Sequence, residues 1–110
     1  MSYVRACSAS ELEHARPLGV QLGDDRIALV RLGDDIHAIA DECSHARILL
    51  SVGDVDADAC TLECYGHGVR FDLTTGQPLD LPATTPVAIY PTKTVGGDVL
   101  VDLHNPIQEF

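Results

Sequence analysis

Apolar residues recur along this chain in short runs rich in β-branched and aliphatic residues, some alternating and some continuous, and the runs are broken by glycines and acidic pairs. Side chains of a strand alternate between two faces, so this pattern predicts strands rather than helices. Val20 to Leu22, Arg26 to Leu32 and Ile36 to Ala40 are separated by Gly23-Asp24-Asp25 and Gly33-Asp34-Asp35, the punctuation of an antiparallel meander. Thr61 to Glu63 predicts a further strand, and Thr75-Gly76 a turn after Phe71. Val87 to Lys93 and Asp98 to Leu103 flank Gly96-Gly97, which predicts a hairpin. At the N-terminal end a short strand near Tyr3 to Ala6 precedes Ser8-Ala9-Ser10-Glu11, a capping-box sequence suited to one helical turn. The expected fold class is all-β, an antiparallel sandwich or barrel.

Length and charge narrow the picture. A chain of 110 residues makes one small domain that buries about two thirds of its unfolded surface, so a bound group would help to hold it together. Seven Lys and Arg against seventeen Asp and Glu give a net charge of −10. That balance argues against nucleic acid and anionic membrane as partners and for docking on a basic protein surface. Asp24-Asp25 and Asp34-Asp35 fall at turns, where solvated carboxylates need no partner and serve solubility or docking equally well, whereas Asp41-Glu42 precedes the richest chemistry in the chain and is expected either to join a docking rim or to act on that chemistry through its charge. No apolar signal region opens the sequence, so a cytoplasmic, membrane-free protein is expected, with Cys7 and Cys60 as small buried hydrophobes in strands. His14, His37 and His104 are assigned no chemistry; His37 alternates with Ile36 and Ala38 and is expected to face outward on a half-buried strand.

Two segments each bring together one thiol and one imidazole: Cys43-Ser44-His45 and Cys64-Tyr65-Gly66-His67. Residues two apart in extended backbone face the same side, so Cys43 and His45 can address one group together. Gly66 and Gly68 flank His67 as a tight turn requires, and glycines let backbone N–H groups approach a ligand without a Cβ in the way. Two Cys and two His suit zinc in a tetrahedral shell, or an iron-sulfur centre in which two irons are treated differently. Zinc folds usually pair Cys with Cys and His with His, and here each loop mixes the two.

The segment from Cys43 to Gly76 resembles the Rieske family: its C-x-H and C-x-x-H-G motifs are followed by Phe71-Asp72 and Thr75-Gly76. Leu50-Ser51, Gly53-Asp54-Val55, the proline-bearing Leu81-Pro82-Ala83, Pro86-Val87, Tyr90-Pro91 and Asp98 to Val101 extend the likeness over most of the chain. The resemblance implies a Rieske iron-sulfur fold, with an antiparallel β-sandwich base from both chain ends and an inserted cluster-binding subdomain at about residues 42–82 of a single domain, 1–110. It also implies one [2Fe-2S] cluster, held by Cys43, His45, Cys64 and His67. With two thiolates and two neutral imidazoles the oxidised cluster is uncharged, whereas four thiolates make it dianionic. This places Rieske centres between about −150 and +300 mV and plant-type ferredoxins near about −400 mV.

High-potential relatives carry a Ser after His-Gly and a Tyr two residues later, and tie their two loops with a disulfide. Here Val69 and Phe71 replace the hydroxyls, and Ile48 and Gly66 stand at the disulfide positions. Gly66 also stands where a bulky residue is common in small Rieske ferredoxins, and Arg47 where a small one is. The resemblance therefore implies a low-potential, monomeric ferredoxin that is not itself an enzyme. It would take one electron at a time from a flavoprotein reductase and pass it to an oxygenase, as in aromatic-ring dioxygenase systems. Alternatives are a ferredoxin linked to iron-sulfur assembly, suggested by Leu81 to Val87 and Asn105-Pro106-Ile107, a nitrite reductase small subunit, and a zinc-stabilised binding module.

Overall fold

The computed structural model describes residues 3–42, 49–65, 68–80, 85–104 and 106. Among these residues ten strands form three antiparallel sheets: β1 (Tyr3–Ser8), β2 (Leu18–Leu22), β3 (Asp25–Leu32), β4 (Asp35–Ala40), β5 (Asp54–Asp56), β6 (Thr61–Glu63), β7 (Arg70–Asp72), β8 (Ile89–Tyr90), β9 (Thr92–Val95) and β10 (Asp98–Asp102). The first sheet has the order β1-β10-β9, the middle sheet β2-β3-β4-β8 and the third β5-β6-β7. Among the described residues the only helical turns are 3₁₀ turns, Ala9–Glu11 and Leu50–Val52. At the first of these the Ser8 N–H donates to Glu11 Oε2 at 2.7 Å, the return arm of the expected capping box.

The middle sheet is buried on both faces. Ile27, Ala28, Leu29 and Val30 of β3 are all fully buried, and consecutive apolar residues are what a strand covered on both sides requires. Ile27, Leu29 and Ala38 pack with Cys7, Leu12, Val99 and Val101 against the first sheet. Ala28, Val30 and Ile39 face the other way, into a second core with Leu50, Leu62, Cys64, Val69, Phe71, Leu73, Val87 and Ile89. That second core carries the third sheet, whose strands lie in sequence between β4 and β8.

The meander and the terminal hairpin form as the sequence predicts. Val95 pairs with Asp98 around Gly96 and Gly97, whose φ values of 58° and 86° give the two left-handed residues that a tight hairpin turn demands. The predicted strand Val87 to Lys93 does not run through. It divides at Pro91: Ile89 and Tyr90 pair with β4, and Thr92 onward pairs with β10. Proline has no N–H to continue a ladder, and its carbonyl instead accepts the Asp102 N–H at 3.0 Å, so the chain changes sheets there.

Two further expectations are corrected. His37 shares its face of β4 with Ile39, so it turns toward the third sheet, half-buried, with Nε2 3.9 Å from Cys60 Sγ. Its neighbour Cys60 is not in a strand but in the turn before β6, at φ 56°, half-buried against the second core. Burial, with Asp72 and Asp35 adding repulsion, pushes the Cys60 thiol up, and burial does the same to Cys7. Neither thiol is poised for chemistry. His104 is exposed, as expected.

Candidate metal centre

Cys64 is the one expected ligand within the described residues; Cys43, His45 and His67 lie outside them, as do Arg47, Ile48, Gly66 and Leu81-Pro82-Ala83. Among the described residues no group of three His, Cys, Asp or Glu side chains converges on a metal-sized site. What can be built from the residues upward is the support on which the two ligand segments stand.

Cys64 is fully buried and belongs to the second core with Leu62, Val69 and Phe71. Its N–H donates to the Val69 carbonyl at 2.7 Å, and the Gly68 N–H donates to the Cys64 carbonyl at 3.0 Å. These two bonds join the described flanks of the second ligand segment above the β6 and β7 ladder, in which Leu62 faces Phe71 and Glu63 faces Arg70. Tyr65 emerges from it 78% exposed.

The chain on either side of the first segment is joined in a different way. Asp41 is 2% exposed, so it is not the rim residue that its sequence position suggested; only Glu42 of that pair is exposed. Asp41 Oδ1 accepts the Ser51 N–H at 2.7 Å, while Oδ2 accepts the Ser51 hydroxyl at 2.7 Å and Arg26 Nε–H at 2.9 Å. One carboxylate therefore joins the residue before Glu42-Cys43 to the residue after Leu50, and Leu50 itself is fully buried.

A third tether lies beside the proline-bearing segment. Arg70 Nε and Nη2 donate to Asp80 Oδ2 and Oδ1 at 2.8 and 3.0 Å, and the Arg70 N–H donates to Oδ2 at 2.9 Å. The paired guanidinium and the backbone N–H hold the Asp80 carboxyl down at about 2, so this contact persists at neutral pH. Asp41, Ser51, Arg26, Arg70 and Asp80 were not singled out as a supporting set by sequence reasoning. The signal available was positional: acidic residues stand two before Cys43 and one before Leu81.

Residues described so far fit an iron-sulfur group in two respects: a buried Cys opens the second segment, and hydrogen bonds join the chain on either side of each ligand-bearing segment. Residues 2–91 match the Rieske [2Fe-2S] domain, and the chain belongs to that family. It is 38% identical over 103 residues to the 3-phenylpropionate/cinnamic acid dioxygenase ferredoxin subunit of Escherichia coli (strain K12), covering 94% of this chain and 95% of that one. The ferredoxin of carbazole 1,9a-dioxygenase from Nocardioides aromaticivorans IC177 superposes with a TM-score of 0.87 at 35% identity, over 92% of this chain and 97% of that one. A chain from the complex of reduced oxygenase and oxidized ferredoxin in carbazole 1,9a-dioxygenase gives 0.82 at 32% identity, over 91% of this chain and 92% of that one. The prosthetic group is accordingly one Rieske-type [2Fe-2S] cluster, and the chain is a ferredoxin, an electron carrier and not a catalyst.

Proposed function

We propose that Cys43, His45, Cys64 and His67 hold the cluster, and that the protein carries single electrons from a flavoprotein reductase to the terminal oxygenase of an aromatic-ring dioxygenase system. The observation that carries this reading is the likeness to a dioxygenase ferredoxin subunit along nearly that subunit's whole length. The cluster supplies a one-electron acceptor whose uncharged oxidised form is easily reduced. The chain supplies the ligands, their support and a docking face. Leu49, Tyr65 and Leu79, between 40% and 78% exposed, lie in or beside the three segments along the chain, and exposed apolar side chains suit brief contact with a partner. A short-lived, one-to-one encounter fits a monomer in the cytoplasm; no helix among the described residues is long and apolar enough to cross a membrane.

The test is a visible and EPR spectrum with iron and sulfide analysis of the purified protein and of His67→Ala. A Rieske signal with two irons in the parent, lost in the variant, is expected. Zinc in place of iron and sulfide, or an unaltered signal in His67→Ala, overturns the ligand assignment. Electron delivery is checked separately: reductase and oxygenase should consume O2 with an aromatic substrate only when this protein is added.

A further inference from the structure

A carboxylate removed from water is costly unless its oxygens are paired and hydrogen-bonded, and Asp41 meets that requirement in an unusual place. Its two oxygens take three hydrogen bonds, two from Ser51 and one from Arg26, and its own N–H donates to the Arg26 carbonyl at 2.9 Å. Arg26 belongs to β3 of the middle sheet, next to Ile27, which is paired with Ala40. Ser51 lies in the 3₁₀ turn anchored by the buried Leu50. The chain before Glu42 and the chain after Leu50 are therefore tied together at a single carboxylate.

We propose that Asp41, acting with Ser51, is a positioning residue for the first ligand segment: the clamp sets where Cys43 and His45 stand before the cluster is bound. This rests on the reading that Cys43 and His45 are ligands. Fixing both ends of a short segment restricts the backbone between them, so less order has to be imposed when the group binds. Ligand geometry set by supporting hydrogen bonds also shapes the electronic properties of a metal site.

An independent feature of β2 points to the same clamp. A Cβ added at Gly19 would lie 2.5 Å from Arg26 Nη2, 2.7 Å from Ser51 Oγ and 2.8 Å from Asp41 Oδ2, all three members at once. Gly19 leaves the space that the clamp occupies. Gly19→Ala would consequently push the clamp apart while keeping every charge and hydrogen-bonding group in the chain.

The experiment uses the cluster-loaded protein and four variants: Asp41→Asn, Ser51→Ala, Gly19→Ala, and Leu12→Ala as a control in the core on the far side of the middle sheet. The g-values of the reduced protein, its midpoint potential and the rate of iron loss to a chelator are measured. An Asn amide would set its own N–H groups against the donors of Ser51 or Arg26, so iron loss in Asp41→Asn should quicken by about tenfold, and in Ser51→Ala by about threefold. Both should shift the g-values, and Gly19→Ala should shift them in the same sense. Leu12→Ala should lower the melting temperature and leave the g-values alone. If the clamp variants melt lower but keep parental g-values and potential, Asp41 serves stability only and the proposal falls. Should Asp41→Asn fail to fold, Ser51→Ala and Gly19→Ala decide. A parent without iron and sulfide defeats the ligand reading itself, whereas a normal parent with unmoved variants defeats only the clamp.

Discussion

Val69 and Phe71 are fully buried in the second core, close in sequence to the second ligand segment, and neither side chain can donate a hydrogen bond. A donor to a sulfur favours the reduced, more negative cluster, so its absence lowers the potential. The parent midpoint is expected at the negative end of the Rieske range, near about −150 mV. If each restored bond contributes about 1 to 1.5 kcal/mol, Val69→Ser and Phe71→Tyr should each raise the midpoint by roughly 40 to 60 mV. A redox titration of the three proteins checks this. A parent midpoint above zero would remove the low-potential assignment; variants at the parent value would mean that the hydroxyls do not reach the sulfurs.

Between β5 and β6 the backbone makes an approach that only glycine permits. A Cβ on Gly53 would collide with the Glu63 carbonyl oxygen, with the Leu50 carbonyl 3.2 Å away on another side. Both obstacles are backbone, so no side chain can swing aside, and Gly53→Ala has to separate strands whose pairing begins at Asp54 and Glu63. Overpacking of this kind costs about 1 to 3 kcal/mol. Denaturant unfolding of the cluster-loaded protein should show that loss. Since the Glu63 strand leads directly into Cys64, the variant should also bind its cluster less firmly. A midpoint of unfolding equal to the parent's would mean that the third sheet can open far enough to admit the methyl group without consequence.

Over the whole molecule the dominant electrostatic fact is the net charge of −10. A field of that sign speeds encounter with a basic partner and is screened as the Debye length falls below about 10 Å, near 0.1 M salt. Reduction by a basic reductase should therefore slow steadily with added salt in stopped-flow measurements. Because Asp41 is buried and paired while Glu42 is exposed, Glu42→Lys should flatten the salt dependence, and changes at Asp41 should act on the cluster instead of on docking. A rate indifferent to salt would assign recognition to the apolar side chains of Leu49, Tyr65 and Leu79 alone.

Features under the control of local chemistry are legible in the chain. Short apolar runs set off by Gly-Asp-Asp specified β2, β3 and β4, the Gly96-Gly97 pair specified the last hairpin, and the mixed Cys and His motifs specified the class of centre. Asp54-Val55-Asp56 was not legible as a strand, because two carboxylates about one valine read as a turn until β6 supplies the ladder. Only the tertiary structure decided which face His37 presents, since β4 is covered on both sides and period-two alternation cannot say which side is solvent. The division of the run around Pro91 between two sheets was decided in the same way, by which neighbour each half could pair with. So was the fate of Asp41: beside Glu42 in the chain it resembles any solvated acid, and only the arrival of Ser51 and Arg26 from other elements makes its burial affordable and gives it a part in holding the ligand segment.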